Sequence, residues 1–322
     1  MIAVLLFLCS AVMGILFGAT KVAIMDLIHS VIEQGLQSPQ ARIICFVRIP
    51  RVMASLFCGA ALAVSGAVIQ GVLANNLASP SIIGVNSGAG LAVTLCSALG
   101  FVGGFRVSLF AFLGAFISVT LVNFGAKKWE ASRGTVILMG VAMNSLLGAI
   151  SDAITTFVPE ISIMSNDFKI GDFSAVTYIK LIPAATIISI ALMILHTLSN
   201  ELDVLTLGEE NAKALGLNTS MMRTVFLILA AALAGAAVSI AGLLSFVGLL
   251  VPHAVRRITT GEARHLIPLC TLFGAGFVTL CDTLSRVIFA PYELPVGIIM
   301  AFLGAPFFLF ILIKGKGNDS YV

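Results

Sequence analysis

The chain has 322 residues, 59% hydrophobic and only 10% charged, with a mean hydropathy of +1.10. Soluble domains carry about 25% charged residues, so this chain cannot solvate its own surface in water, and lipid is its expected solvent. A formal net charge of +3 is too small to indicate nucleic acid or a polybasic lipid patch.

A helix needs about 20 apolar residues to cross the hydrocarbon layer. Cutting the sequence at charges, prolines and glycine clusters predicts spans near 2–18, 52–74, 81–101, 107–126, 135–157, 176–198, 221–244, 246–258, 266–289 and 295–313. The first lacks a basic n-region, and Ala19-Thr20-Lys21 is a poor cleavage site, so it reads as a membrane helix and not a signal peptide. Between the first two spans, Ile24, Leu27, Ile28, Val31 and Ile32 share one helical face, which predicts a short helix on the membrane surface. At 158–175, Pro159, Glu160, Asp167, Lys169 and Asp172 interrupt the hydropathy. The eighth span is too short to cross alone. It is either a half-helix packed inside protein or a continuation of the seventh after a break between Gly242 and Gly248, allowed only where protein or a water-filled cavity covers the freed backbone. No soluble domain or long linker is visible, so residues 1–322 read as one transmembrane domain.

Charge counting leaves orientation open. With an even number of spans, one side holds ten basic residues, including Lys127, Lys128, Arg133, Lys213 and Arg223, and the other holds eight, including Arg48, Arg51 and Arg286. Glycine is frequent inside the spans, and small residues let helices in lipid approach closely. Gly84-x3-Gly88 and the Ala60, Ala63, Ala67 series fit that use. The six cysteines form no CxxC pair and the four histidines show no ligand spacing, which favours packing over disulfides or metal.

Three segments carry more information. The first is Arg48-Ile-Pro-Arg51 followed by Gly59-Ala-Ala-Leu-Ala-Val-Ser-Gly-Ala-Val-Ile-Gln70, Asn75-Asn-Leu-Ala-Ser-Pro80 and Ile83-Gly-Val-Asn-Ser-Gly-Ala-Gly90. The second is Leu207-Gly-Glu-Glu-Asn-Ala-Lys-Ala-Leu-Gly-Leu217. The third is Ala241-Gly-Leu-Leu-Ser-Phe-Val-Gly-Leu-Leu-Val-Pro-His-Ala-Val-Arg256, continued by Asp282-x3-Arg286, Glu293-Leu-Pro-Val-Gly297 and Gly304-Ala-Pro-Phe-Phe308. Residues 207–217 are the most polar helical stretch between two long spans. Glu209 and Glu210 suit the positive end of a helix dipole, Gly216 falls where a C-terminal glycine stop belongs, and Ala212 with Leu215 offers a small apolar face. On pattern alone this is equally a solvated loop with a helical turn. Asp282 and Arg286, four apart, can pair along one helix face.

In this order and spacing the segments resemble the FecCD family of ABC importer permeases, over about residues 48–313. Asn76 stands where the family usually has proline, a departure that bears on the local turn. The resemblance implies an all-α integral membrane protein of about ten transmembrane helices, the type II ABC importer permease fold, with a short broken helix and a cytoplasmic coupling helix. It implies that Leu207, Gly208, Glu209, Glu210, Ala212, Leu215 and Gly216 form that coupling helix. It also implies that Arg48, Arg51 and Arg286, at the outer mouth, receive acidic residues of an external substrate-binding protein; snorkelling at helix ends is the plainer reading of such arginines. The expected partners are two ABC ATPase subunits, the binding protein and a second permease copy, as homodimer or closely related heterodimer, in the cell membrane. The expected cargo is an iron chelate, with ferric siderophore ahead of haem and corrinoid.

The chain holds no GxxxxGK[ST] phosphate loop, no metal triad and no nucleophile–base pair. It therefore reads as a non-enzyme without cofactor, its ATP hydrolysis supplied by separate subunits. The rival readings are an ion-coupled secondary transporter using Asp152 or Asp282 as its intramembrane carboxylate, and a passive channel or scaffold. His253, before Arg256 and Arg257, marks the end of the eighth span.

Overall fold

The computed structural model describes residues 2–18, 38–101, 103–129 and 131–315, and the side chains among them as far as 309. The surface helix expected at 24–35 lies outside the described residues. Within them the chain is all helical: α1 (Ile2–Leu16), α2 (Pro39–Leu73), α3 (Val85–Ala98), α4 (Gly104–Lys128), α5 (Arg133–Phe157), α6 (Ser162–Ile170), α7 (Tyr178–Thr197), α8 (Ser199–Thr206), α9 (Glu209–Ala214), α10 (Thr219–Ala241), α11 (Val247–Arg256), α12 (Ala263–Val287) and α13 (Val296–Gly315). Six of these, α2, α4, α5, α7, α10 and α12, are long and apolar enough to cross a membrane, and α1, α3, α11 and α13 are shorter apolar helices.

The expected span at 52–74 is corrected at its start. The helix begins at Pro39, with the Ser38 hydroxyl accepting from the Ala41 amide at 3.2 Å, and runs through one π-helical turn at Ile44–Arg48. Cutting at charge fails here because the charge is satisfied inside protein: the Arg48 guanidinium donates to the carbonyls of Ile15 and Leu16, at 2.9 and 2.8 Å, at the end of α1.

Helix α2 is the axis of the molecule, buried over most of its length by α12, α10, α11 and α7. Its small residues allow this. A Cβ on Gly59 would lie inside the van der Waals radius of the Gly274 carbonyl on α12, and one on Gly66 inside that of the Gly248 carbonyl on α11. At such separations hydroxyls reach across. Ser65 Oγ donates to the Ala230 carbonyl at 2.7 Å, and Ser55 and Thr279 share a hydrogen bond of 2.9 Å. Each such bond contributes about 0.6 kcal/mol in a membrane protein. Helix α5 is the opposite case, with most of its apolar surface uncovered.

Two breaks interrupt the bundle. The short eighth span is a separate half-helix, α11, which pairs Arg256 with Gln70 and Gly248 with Gly66 and so runs antiparallel to α10. Residues 242–246 between them are not left bare. The Leu243 amide donates to the Phe168 carbonyl at 2.9 Å, and the Asp172 amide to the Ala241 carbonyl at 2.8 Å. The interruption at 158–175 thus supplies, through α6, the cover that a broken membrane helix requires. At the second break Ala74 is left-handed (φ 47°) and the chain turns before α3. Asn75 Oδ1 accepts from the Leu77 amide at 2.8 Å, so the side chain of Asn75 makes the turn where the family pattern has a following proline. Asn144 on α5 ties the returning strand of chain, donating to the carbonyls of Ser81 and Ile82 at 2.8 and 3.1 Å. The two breaks face one another across a cavity of about 300 Å³ lined by Leu62, Pro80, Ser81, Phe246 and Leu249.

Candidate functional site

The polar features collect at the two ends of the bundle. At the end reached by the C-termini of α2 and α4, residues 207–217 fold into the six-residue helix α9. Gly208 (φ 104°) precedes it, and Gly216 (φ 84°) closes it. The Gly216 amide donates to the Lys213 carbonyl at 2.9 Å and the Leu217 amide to that of Ala212 at 3.0 Å, the paired bonds of a Schellman stop. Glu209 binds both Lys213, at 3.1 Å along the helix, and Arg223 of α10, at 2.9 Å. The hydrogen bond from Lys213, with the Arg223 charge added, holds the Glu209 carboxyl below the usual carboxylate range.

The expectation that Ala212 and Leu215 share an apolar face is corrected. Ala212 is fully buried against the bundle, whereas Leu215 and Leu207 are 66% and 58% exposed on the outside. A helix this short turns a small residue inward to seat itself and leaves the larger ones free. Neighbouring bonds anchor the seat: Asp203 Oδ1 accepts from the Ala263 amide at 2.8 Å, which caps α12, and Arg133 donates to the Leu205 carbonyl at 3.1 Å. Burial pushes the Asp203 carboxyl above its ordinary value.

At the opposite end the structure brings Arg48, Arg51 and Arg286 together, from α2 and α12. It buries all three, at 2–4% exposure. Arg51 Nε reaches Asp282 Oδ1 at 2.9 Å and its Nη1 reaches Glu293 Oε2 at 2.6 Å, with Asp172 at 3.9 Å. Arg286 pairs with Asp282 Oδ2 at 3.0 Å and donates to the carbonyls of Gly14 and Phe17 at the end of α1. The ion pair expected along α12 is present, and it is one edge of a larger network. Three guanidiniums and three carboxylates bind α1, α2, α12 and the turns before α7 and α13. They are not surface charges at helix ends.

Asp152 is exposed and pairs with Lys169 at 3.3 Å, so the two candidate intramembrane carboxylates lie in different settings. Sequence reasoning missed Glu293 and Asp172 as partners of Arg51, Asn144 as the tie of the second break, and Arg223 as the anchor of α9. Glu293 was legible only as part of a motif. Arg223 is the third residue of the span predicted at 221–244, with nothing in the spacing to join it to Glu209.

The model of the FecCD transport family matches residues 3–314. The chain belongs to the FecCD transport family. Among its relatives is an uncharacterized ABC transporter permease protein, YvrB, of Bacillus subtilis (strain 168), 37% identical over 83% of this chain and 78% of that protein. Another is the Fe(3+)-citrate import system permease protein YfmD of the same strain, 34% identical over 98% of this chain and 94% of that one. A solved inward-facing conformation of a putative metal-chelate type ABC transporter superposes with TM-score 0.83 at 29% identity, over 97% of each chain. With six apolar helices of spanning length, this FecCD chain is a multi-pass membrane protein.

Proposed function

We propose that the protein is the permease subunit of an ATP-driven ABC importer for a metal chelate, a ferric siderophore by preference, with haem and corrinoid as the other members of the class. The observation that carries this reading is α9. It is a short polar helix, stopped at both ends by left-handed glycines and locked to α10 through Glu209 and Arg223, at the end of an otherwise apolar bundle. A rigid, exposed knob of this kind transmits force from a separate motor to the helix on which it is mounted. The exposed side chains of Leu207 and Leu215 are its contact with an ATPase groove, and the end that bears it is cytoplasmic.

The reading extends to the whole assembly. All ten apolar helices cross or enter the cell membrane in the type II permease fold. Two permease copies, identical or closely related, enclose the path, two ATPases sit beneath, and a binding protein delivers the chelate from outside. Closure of the ATPases moves the two α9 helices together and flips access to the path as a rigid-body motion. The lightly covered α5 and the cavity between the two chain breaks, lined by small and apolar side chains, are the surfaces along which the chelate passes.

Docking at Arg48, Arg51 and Arg286 enters the proposal in a specific form. The charges of Arg51 and Arg286 are already paired with Asp282, Glu293 and Asp172, and Arg48 is held by the carbonyls of Ile15 and Leu16. A partner's carboxylates therefore exchange with Glu293 and Asp172, the partly exposed acids of the set, and do not meet free cations. The ion-coupled alternative gains no support from Asp282, which is held between two arginines.

The test is reconstitution. Purified permease with its ATPase and binding protein should import chelate on ATP addition, and Glu209→Lys with Glu210→Lys should abolish co-purification of the ATPase. Uptake by the permease alone, driven by an ion gradient, would refute the proposal.

A further inference from the structure

Between α9 and the adjoining ends of α4 and α10 lies an open cleft of about 590 Å³, to which Lys127, Lys213 and Arg223 contribute cations and Glu209 the only carboxylate. Glu209 is shared by Lys213 and Arg223, and no ion pair among the described residues engages Lys127. Arg223 keeps its Nε buried without an acceptor. Hydroxyls of Ser132, Ser220 and Thr224 complete the lining. The modest net charge of the chain hides this local excess. A site of cations and hydroxyl donors with a surplus of positive charge suits a phosphate oxyanion.

The surroundings point to where that phosphate comes from. On α4, Ile117, Leu121 and Phe124 are exposed at helical spacing and form an apolar strip that ends about one turn before Lys127. Trp129, two residues beyond Lys127, is 71% exposed and packs back over Gly125. An exposed tryptophan at a helix end belongs at headgroup level. An apolar strip, a cation of the cleft and an exposed tryptophan therefore lie together at one helix end, the combination that a phospholipid's acyl chain and headgroup would meet there.

We infer that this cleft is a binding site for the headgroup of an anionic phospholipid, which seats against Lys127, Lys213 and Arg223 behind α9 and steadies that helix from the membrane side. The inference does not depend on the transport reading, since it concerns lipid bound by the permease alone.

Trp129 is the sole tryptophan of the chain and serves as the reporter. Full-length permease is reconstituted in phosphatidylcholine vesicles containing either brominated phosphatidylglycerol or brominated phosphatidylcholine at equal mole fraction. Quenching of Trp129 should favour the anionic lipid, and Lys127→Gln should weaken that preference on the order of fivefold. Lys127 is exposed, so folding is not at risk, and Lys213→Gln gives a second variant with the same expectation. Equal quenching by both lipids, or a preference unchanged in both variants, overturns the inference. So does loss of the preference on adding millimolar inorganic phosphate at constant ionic strength, which would make the site one for a free anion.

Discussion

The Arg223 Nη2 atom lies 2.9 Å from Glu209 Oε2. This one ion pair fastens the polar helix α9 to the first turns of α10, the helix that packs along the buried axis α2. In the proposed coupling, displacement of α9 by a partner would reach the centre of the bundle through this charged strut, with the fully buried Ala212 as its apolar seat.

Cutting the strut should uncouple the machine without dismantling it. Arg223→Gln leaves Leu207 and Leu215 exposed for the ATPase, so the complex should still assemble. Import per ATP hydrolysed should fall by about tenfold or more, the factor expected for loss of roughly 1.5 kcal/mol of charge-assisted bonding. Unchanged import per ATP in proteoliposomes would show that α9 transmits its motion by another route.

Acid should loosen α9 in a predictable sense. The Glu209 carboxyl is held below the usual carboxylate range by Lys213 and Arg223. Its contribution is therefore complete above the ordinary carboxylate value and is lost as pH falls through the lowered one. Hydrogen-exchange protection of residues 207–217, taken relative to the base-catalysed intrinsic rate at each pH, should be high and flat near neutral pH and should fall on acidification. Glu209→Gln should exchange at the faster rate throughout; a variant with wild-type protection would refute the role of the carboxylate.

At the opposite end, removing one carboxylate from the buried network leaves a cation unpaired. Asp282→Ala should destabilise the protein by roughly 3–5 kcal/mol, seen as loss of the folded, monodisperse permease in detergent. Glu293→Gln, at the partly exposed edge of the same network, should leave folding intact and raise the affinity for the binding protein, because an internal competitor for Arg51 is gone. Lowered affinity in Glu293→Gln would indicate that Glu293 is itself a contact.

Close helix approach sets the tolerance of the axis. Gly66→Ala places a methyl group against the Gly248 carbonyl of α11, and Gly59→Ala against that of Gly274 on α12. In both cases the obstacle is backbone, which cannot swing aside. Expression of folded protein should collapse for these two variants and persist for Gly148→Ala, where a Cβ meets open space. Equal expression of all three would contradict the packing described.

Hydropathy by itself determined the class of protein and, within a few residues, most apolar segments, because lipid imposes a length and a composition that can be read one residue at a time. The α9 stop was equally legible, since Gly216 is a local signal acting over a single turn. What the tertiary structure alone decided are the relations across sequence distance. Arg48 and Arg51 break a hydropathy plot, yet they sit inside a continuous helix, because carbonyls of α1 and carboxylates from α12 and residue 293 satisfy them. The same distance hid the reversal of α11, since a run of ten residues carries no record of its direction, and the pairings of Gly248 with Gly66 and Arg256 with Gln70 fix it. A charge in lipid is tolerated or forbidden according to its partners, and partners brought together by folding leave no mark in spacing.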